Sequence, residues 1–341
     1  MERRNVGTSV LALGLAVALA SPGWAQSQID ERLPEYERVG GVSGTVTTIG
    51  SDTMNNLATL WGEGFLEQYP GVRVEVEGMG SSTGVVALIE GTASFAPMSR
   101  EMTGSEVDRF EEVHGYPPTA IPVAVDMLAV FVHRDNTVDG LTMEEVDGIF
   151  SSTQRSGHGS ITSWRHFASG RNLPAQLRNR SISLYGRNAA SGTYGFFRQN
   201  ALFGGDFRSA VREQPGSSSV VQGVANEINA IGYSGVGYTT ADVRAVPLKF
   251  ADDDRFYNAT AEDAGDYPLA RFLYLYVNKR PGQDLDPVRR EFVRYIFTQQ
   301  GQEVTLRDGF LPVSAEVAVE ALASIGVEAD FLKEEDEQAT E

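Results

Sequence analysis

Arg187 is followed four residues later by Ser191-Gly192-Thr193, inside the run LYGRNAASGTYGFF of residues 184–197. A guanidinium, two hydroxyls and a glycine at this spacing suit the holding of a small oxyanion. Arginine supplies a permanent planar charge that matches two oxygens at once. Glycine lets an anion approach the backbone, and Ser and Thr add donors from the side. Two other turns have related composition: Gly50-Ser-Asp-Thr-Met54 after TVTTI, and Gly80-Ser-Ser-Thr-Gly84 after VRVEVEGM. Each turn stands between a strand-like run and a helix-like run. A helix start there leaves backbone N–H groups without intrahelical partners and adds the positive end of the helix dipole. Ser, Thr and Asp are also ordinary helix caps, so any one of these turns alone reads as a cap. Three of them with an arginine read as walls converging on one anion.

The elements that must position these turns alternate along the chain. Strand patterns occupy 45–49, 72–77, 121–133, 182–185, 230–234 and 272–277, and helical spacing occupies 55–69, 85–90, 194–203 and 287–301. Strands alternating with helices imply α/β layers with mostly parallel sheets. Ser217-Ser218-Ser219 precede the helix-like VVQGVANEI and read as its cap. The residues alone carry the reading to a binder of a small anion between two α/β lobes, and no further.

Residues 1–25 have a basic start, an apolar run from Val10 to Ala20, and small residues at Gly23 and Ala25. This is the layout of a secretory signal cleaved after Ala25, with export by the general route expected. Its removal takes the net charge from −18 to −19, because two arginines and one glutamate go with it. The remaining 316 residues exceed what one core usually serves, so two domains are expected. Cysteine is absent, so an exported fold here relies on its core rather than on disulfides. With 46 Asp+Glu against 28 Lys+Arg, the chain is a poor partner for nucleic acid or an anionic membrane, and the charge serves solubility.

The segments IGSDTMNNLATLW, VEGMGSSTGVVALIEGTASFAPMSRE, PVAVDMLAVFV, LYGRNAASGTYGFF and AIGYSGVGY resemble, in order, the phosphate-binding proteins of Pst-type ABC importers. The resemblance spans roughly residues 43 to 315. It implies an α/β, two-lobed type II periplasmic-binding-protein fold with two crossover strands and a ligand cleft between the lobes. It further implies a periplasmic monomer without cofactor, which hands inorganic phosphate to a membrane permease. The expected division is a signal peptide (1–25), a flexible leader (26–41), lobe 1 (42–128 plus 270–325), lobe 2 (129–269) and an acidic tail (326–341).

Carried over by residue, the first turn offers Ser51, Thr53 and the Met54 N–H, and the second offers Ser81. The third offers Arg187, Ser191, Gly192 and Thr193. Ser99, in APMSR, stands where the family's best-known members place an aspartate that accepts the proton phosphate retains. A hydroxyl can donate or accept, so another acceptor is sought. Asp126, interrupting the apolar PVAVDMLAV, is the candidate, since a buried carboxylate needs a partner. Its alternatives are capping a turn or pairing with Arg100. Arg100 itself is expected to face ligand as a second cation, or to pair with Asp52 or Asp126.

Other chemistries compete less well. Gly80-Ser81-Ser82-Thr83-Gly84 fits G-x-S-x-G, which would make Ser82 a hydrolase nucleophile. His114, His133, His158 and His166 follow it, but none sits in a motif. Four scattered histidines and no cysteine give no metal cluster. Residues 251–255, ADDDR, read as a solvated turn. Sulfate, arsenate or molybdate on the same fold is the remaining alternative.

Overall fold

A computed structural model of the chain describes residues 28–329 except 171, together with residue 331. The expected signal peptide and most of the acidic tail lie outside the described residues. The fold is organised by one strand, Thr119–His133, whose fifteen residues are buried almost throughout. Its β-branched, near-continuous apolar sequence suits a strand covered on both faces. The strand Ala270–Val277 runs antiparallel to its first half, while Ala230–Gly235 and Val243–Ala245 run antiparallel to its second half. A seven-stranded sheet results. In order it holds Ala96–Met98, Ala270–Val277, Thr119–His133, Ala230–Gly235, Ser183–Arg187 and Arg212–Gln214, with Val243–Ala245 attached to the long strand. Gly44–Ile49 and Val72–Glu77 form a separate parallel pair.

The expectation of mostly parallel sheets needs correction. Parallel pairing joins Gly44–Ile49 to Val72–Glu77, Leu141–Thr142 to Leu248–Lys249 and Ser183–Arg187 to its two neighbours, whereas every pairing of the long strand is antiparallel. The reason is topological: a strand that leaves one half of the molecule and a strand that returns to it run in opposite directions.

Two large cores sit at the two ends of this strand. One is built on Trp61, Phe65, Phe95, Val123, Leu273 and Phe292, and the other on Leu128, Phe150, Trp164, Phe197, Tyr233 and Leu269. Each fully buried aliphatic or phenyl side chain contributes about 1.5–3 kcal/mol. Among the described residues, no helix is long and apolar enough to cross a membrane.

Two local expectations fail for identifiable reasons. The leader is not loose over its described part. Leu33 is buried in the first core, Gln299 N–H donates to Pro34 O, and Tyr36 Oη meets both Tyr69 and Glu291. The helix expected over 287–301 is two helices, Pro287–Ile296 and Gln299–Arg307. Thr298 separates them, its hydroxyl accepting from Gly301 N and so opening a second helix.

Candidate functional site

All three turns meet at one place. The short 3-10 helix Asp52–Met54, the helix Ser81–Ile89 and the helix Gly192–Asn200 bring their starts together at the middle of the long strand. The second helix begins at Ser81, four residues before the apolar spacing becomes visible at Val85, so its hydroxyls lie in the first turn. Thr53 Oγ1 lies 2.9 Å from Thr193 Oγ1 and 3.5 Å from Ser217 Oγ. Ser99 Oγ lies 3.4 Å from both Ser81 Oγ and Thr193 Oγ1. These five hydroxyls are buried.

Two arginines flank them. Arg187 ends the strand Ser183–Arg187 and is 1% exposed. Its Nη1 donates to Ser217 Oγ at 2.8 Å and lies 3.1 Å from Asp52 Oδ1, and its Nη2 donates to Pro215 O. Burial depresses its pKa, and the charge of Asp52 opposes that shift. Tyr233, stacked on Phe197 at 3.9 Å, accepts from Arg187 N and steadies the strand end. Arg187 Nε and Ser51 Oγ are buried without a hydrogen-bond partner in the protein.

Arg271 is the second arginine, and sequence reasoning missed it. Its Nε and Nη2 donate to Asp126 Oδ2 at 3.0 and 2.7 Å, its Nη1 to Ser99 O, and its Nη2 also to Thr193 Oγ1 at 2.9 Å. Its guanidinium also stacks over Phe196, 5.0 Å from the ring centroid. Burial lowers its pKa while Asp126 supports its charge. Asp126 and Arg271 are direct partners across the antiparallel pair, so their side chains share one face. The strand expected from Phe272 in fact starts at Ala270, and that two-residue error concealed the arginine.

The sequence-derived residues therefore sort by position. Thr53, Ser81, Ser99, Arg187, Gly192 and Thr193 converge. Ser191 caps its helix, accepting from Tyr194 N, and is buried beside them. The Met54 N–H is spent on Ser51 O within the 3-10 turn. Asp126 does not meet Arg100; its partners are Arg271 and the Val236 N–H, which opens the 3-10 turn Val236–Tyr238. Ser217 is not merely a cap: Gly216 holds the cap position, and the Ser217 hydroxyl joins the cluster.

Glycine is needed where the walls touch. A Cβ on Gly192 would meet Ser81 Oγ at 2.3 Å, Ser99 Oγ at 2.7 Å and Ser81 Cβ at 2.9 Å. Gly80 has a φ of +111°, and a Cβ there would meet Ala190 O at 2.6 Å.

Arg100 is tied elsewhere than either expectation put it. Both its terminal nitrogens bind Glu106, at 2.7 and 2.8 Å, and one reaches Ser82 Oγ at 3.3 Å. Glu106 also completes a capping box with Thr103. Burial opposes ionisation of Glu106, but the Arg100 fork and the Thr103 N–H hold its carboxyl below the usual glutamate range. That stabilisation is complete above the unfolded value and is lost as pH falls through the lowered one. Glu106→Gln should therefore lower stability at neutral pH and flatten the decline in melting temperature between about pH 5 and 3, as read by thermal unfolding.

Ser82 does not form a triad. Its hydroxyl accepts from Arg100, and its N–H donates to Ala190 O. His114 stacks on Phe110 and reaches Ile89 O, and His133 accepts from the Asp135 N–H. The reading of the histidines as scattered holds for those two and fails for the other pair. His158 and His166 come together with Glu145, because the segment between them folds back on the helix Met143–Phe150.

Comparison with known proteins agrees with this architecture. A PBP superfamily domain matches residues 37–300. The phosphate-binding protein PstS of Pseudomonas aeruginosa is 45% identical over 330 residues, covering 96% of this chain and 99% of its own. PstS of Bacillus subtilis is 27% identical, covering 80% of this chain and 82% of its own. An ABC-type phosphate transport receptor from Vibrio cholerae shares the fold, with a TM-score of 0.59 and 23% identity over 79% of this chain and 100% of that one. Taken with the three converging turns, these matches show that the chain belongs to the PBP superfamily and, within it, to the PstS phosphate-binding protein family.

Proposed function

We propose that this protein captures inorganic phosphate in a cleft between two lobes and delivers it to a membrane permease of the ABC type. The lobes are residues 42–128 plus 270–325, and residues 129–269. One observation carries the reading: five buried hydroxyls from both parts of the chain gather between Arg187 and Arg271. Two guanidinium groups, each steadied by a carboxylate, present N–H donors to an anion, and the hydroxyls suit tetrahedral oxygens better than an apolar or cationic ligand. Arg187 Nε and Ser51 Oγ add donors that the protein leaves unmatched.

Thr53, Ser81 and Ser99 form one wall, and Arg187, Ser191, Gly192, Thr193 and Ser217 form the other. Ser99, not Asp126, faces the retained proton of phosphate, since the Asp126 carboxylate is committed to Arg271. The protein binds rather than catalyses, acts as a monomer in the periplasm after export, and uses no cofactor. Names of relatives support the ligand: the Pseudomonas aeruginosa protein is called a phosphate-binding protein.

Competition titration of phosphate, arsenate and sulfate against the purified mature chain tests this. Phosphate and arsenate should compete for one site per chain, with sulfate much weaker. Tighter sulfate binding, or no phosphate binding, would overturn the reading. Gly192→Ala supplies a geometric check. Its added methyl lands between Ser81 and Ser99, so phosphate should bind roughly a hundredfold more weakly. The ligand-free melting temperature should hardly change, because the clash lies between the walls rather than in either core.

A further inference from the structure

The helix Ser217–Ala225 begins without a cap of its own. Gly216 holds the cap position and has no side chain to offer, so the helix's first N–H, from Ser217, donates instead to Asp52 Oδ1 at 2.8 Å. Asp52 lies 165 residues earlier, in the 3-10 turn Asp52–Met54. The same carboxylate oxygen lies 3.1 Å from Arg187 Nη1, at the end of the strand Ser183–Arg187. We propose that Asp52 is a positioning residue for phosphate capture, clasping the first turn to the opposite wall and fixing the Arg187 guanidinium there. The inference rests on the phosphate-binding reading above and on its two lobes, which put Asp52 on one side and Arg187 and Ser217 on the other.

Further contacts grip the same turn from the same side. The Tyr238 hydroxyl reaches Asp52 O at 3.1 Å and Thr53 O at 3.0 Å. Thr53 Oγ1 meets Thr193 Oγ1 and Ser217 Oγ. Both the side chains and the carbonyls of the turn are therefore held from the second lobe. On its own lobe the turn is anchored through the backbone, with Gly50 N–H donating to Glu77 O and Ser51 N–H to Pro97 O. The turn is thus a fixed arm of the first lobe whose tip the second lobe grasps. Glycine keeps room for the carboxylate: a Cβ on Gly216 would meet Asp52 Oδ2 at 3.1 Å and Oδ1 at 3.5 Å.

A carboxylate beside an arginine that holds an anion needs a reason, since its charge opposes a bound dianion. The bonds of Asp52 supply one. Arg187 Nη1 is shared between Asp52 Oδ1 and Ser217 Oγ, and Nη2 is held by Pro215 O. A guanidinium fixed in this way loses little rotamer freedom when phosphate arrives. The bond from the Ser217 N–H is charge-assisted and lies at the positive end of a helix. Both contacts cross the cleft, so they form only when the walls are together. An interaction made in one of two states shifts the population toward that state. The clasp therefore acts on phosphate release more than on first encounter.

The test compares the mature chain with Asp52→Ala and Asp52→Asn. Release of radiolabelled inorganic phosphate into excess unlabelled phosphate gives koff, and calorimetric titration gives Kd and hence kon. Asp52→Ala should raise koff roughly 10–100-fold and leave kon within about threefold of the parent. Asp52→Asn keeps an acceptor for the Ser217 N–H while dropping the charge, so its koff should stay within about fivefold of the parent. Release from Asp52→Ala within about twofold of the parent, or equally fast release from both variants, would overturn the proposal. So would a purely structural effect, in which Asp52→Ala lowers the ligand-free melting temperature and leaves koff unchanged. Those results would leave the phosphate-binding reading standing, whereas a parent chain that binds no phosphate would remove both.

Discussion

Arg187→Met should raise the dissociation constant for phosphate by roughly 10²–10⁴-fold. The guanidinium is 1% exposed, and its charge is fixed at the point where Thr53, Thr193 and Ser217 meet. Hydrogen bonds between a charged donor and an oxyanion contribute about 1.5–3 kcal/mol each, and the fork can make two. Losing both amounts to about 3–6 kcal/mol, which corresponds to the fold-change above. Arg187→Lys keeps the charge but not the fork, so an intermediate loss of about a hundredfold is expected. Unfolding of the ligand-free protein should change little in Arg187→Lys, because Asp52 is partly solvated and keeps the Ser217 N–H as a partner. Calorimetric titration of both variants decides the matter. An Arg187→Met protein that binds phosphate within tenfold of the parent would remove Arg187 from the site.

Much of this site could be read from local sequence because its parts are local devices. A strand, a Gly/Ser/Thr turn and a helix start are neighbours in the chain, so the three turns declare themselves by composition. Arg187 belongs to one of them and was visible for that reason. Arg271 was not: it lies 145 residues from Asp126 in sequence and meets it only through antiparallel register. One charged residue at the edge of an aromatic strand, ARFLYLYV, gives no periodic signal of its own. Ser217 reads as a cap because serine before a helix usually is one; the difference lies in the Arg187 Nη1 that donates to its hydroxyl across the fold. Arg100 shows a third kind of failure. Its partner Glu106 is only six residues away, in the capping box of the next helix, a local pairing that composition does not distinguish from one inside the cleft. The mixed direction of the sheet was likewise hidden, since strand patterns carry no orientation.

Asp126→Asn should destabilise the ligand-free protein by about 3–5 kcal/mol while leaving phosphate recognition intact. The Asp126–Arg271 pair is almost wholly buried, at 0% and 2% side-chain exposure. Removing one charge of such a pair leaves the other uncompensated, and burial already disfavours the Arg271 cation. Phosphate offers a replacement. Arg271 Nη2 donates to Thr193 Oγ1 within the hydroxyl cluster, so a dianion held there lies beside the orphaned guanidinium. Saturating phosphate should therefore restore more stability to Asp126→Asn than it adds to the parent, a difference measurable by denaturant unfolding with and without ligand. Had Asp126 served as the acceptor for the phosphate proton, the variant would instead lose its preference for phosphate over sulfate. The committed geometry of its carboxylate, two bonds from Arg271 and one from the Val236 N–H, argues for the opposite. Retained selectivity with a larger ligand-induced stabilisation would assign Asp126 to holding Arg271 in place. Lost selectivity with unchanged stability would return it to the ligand.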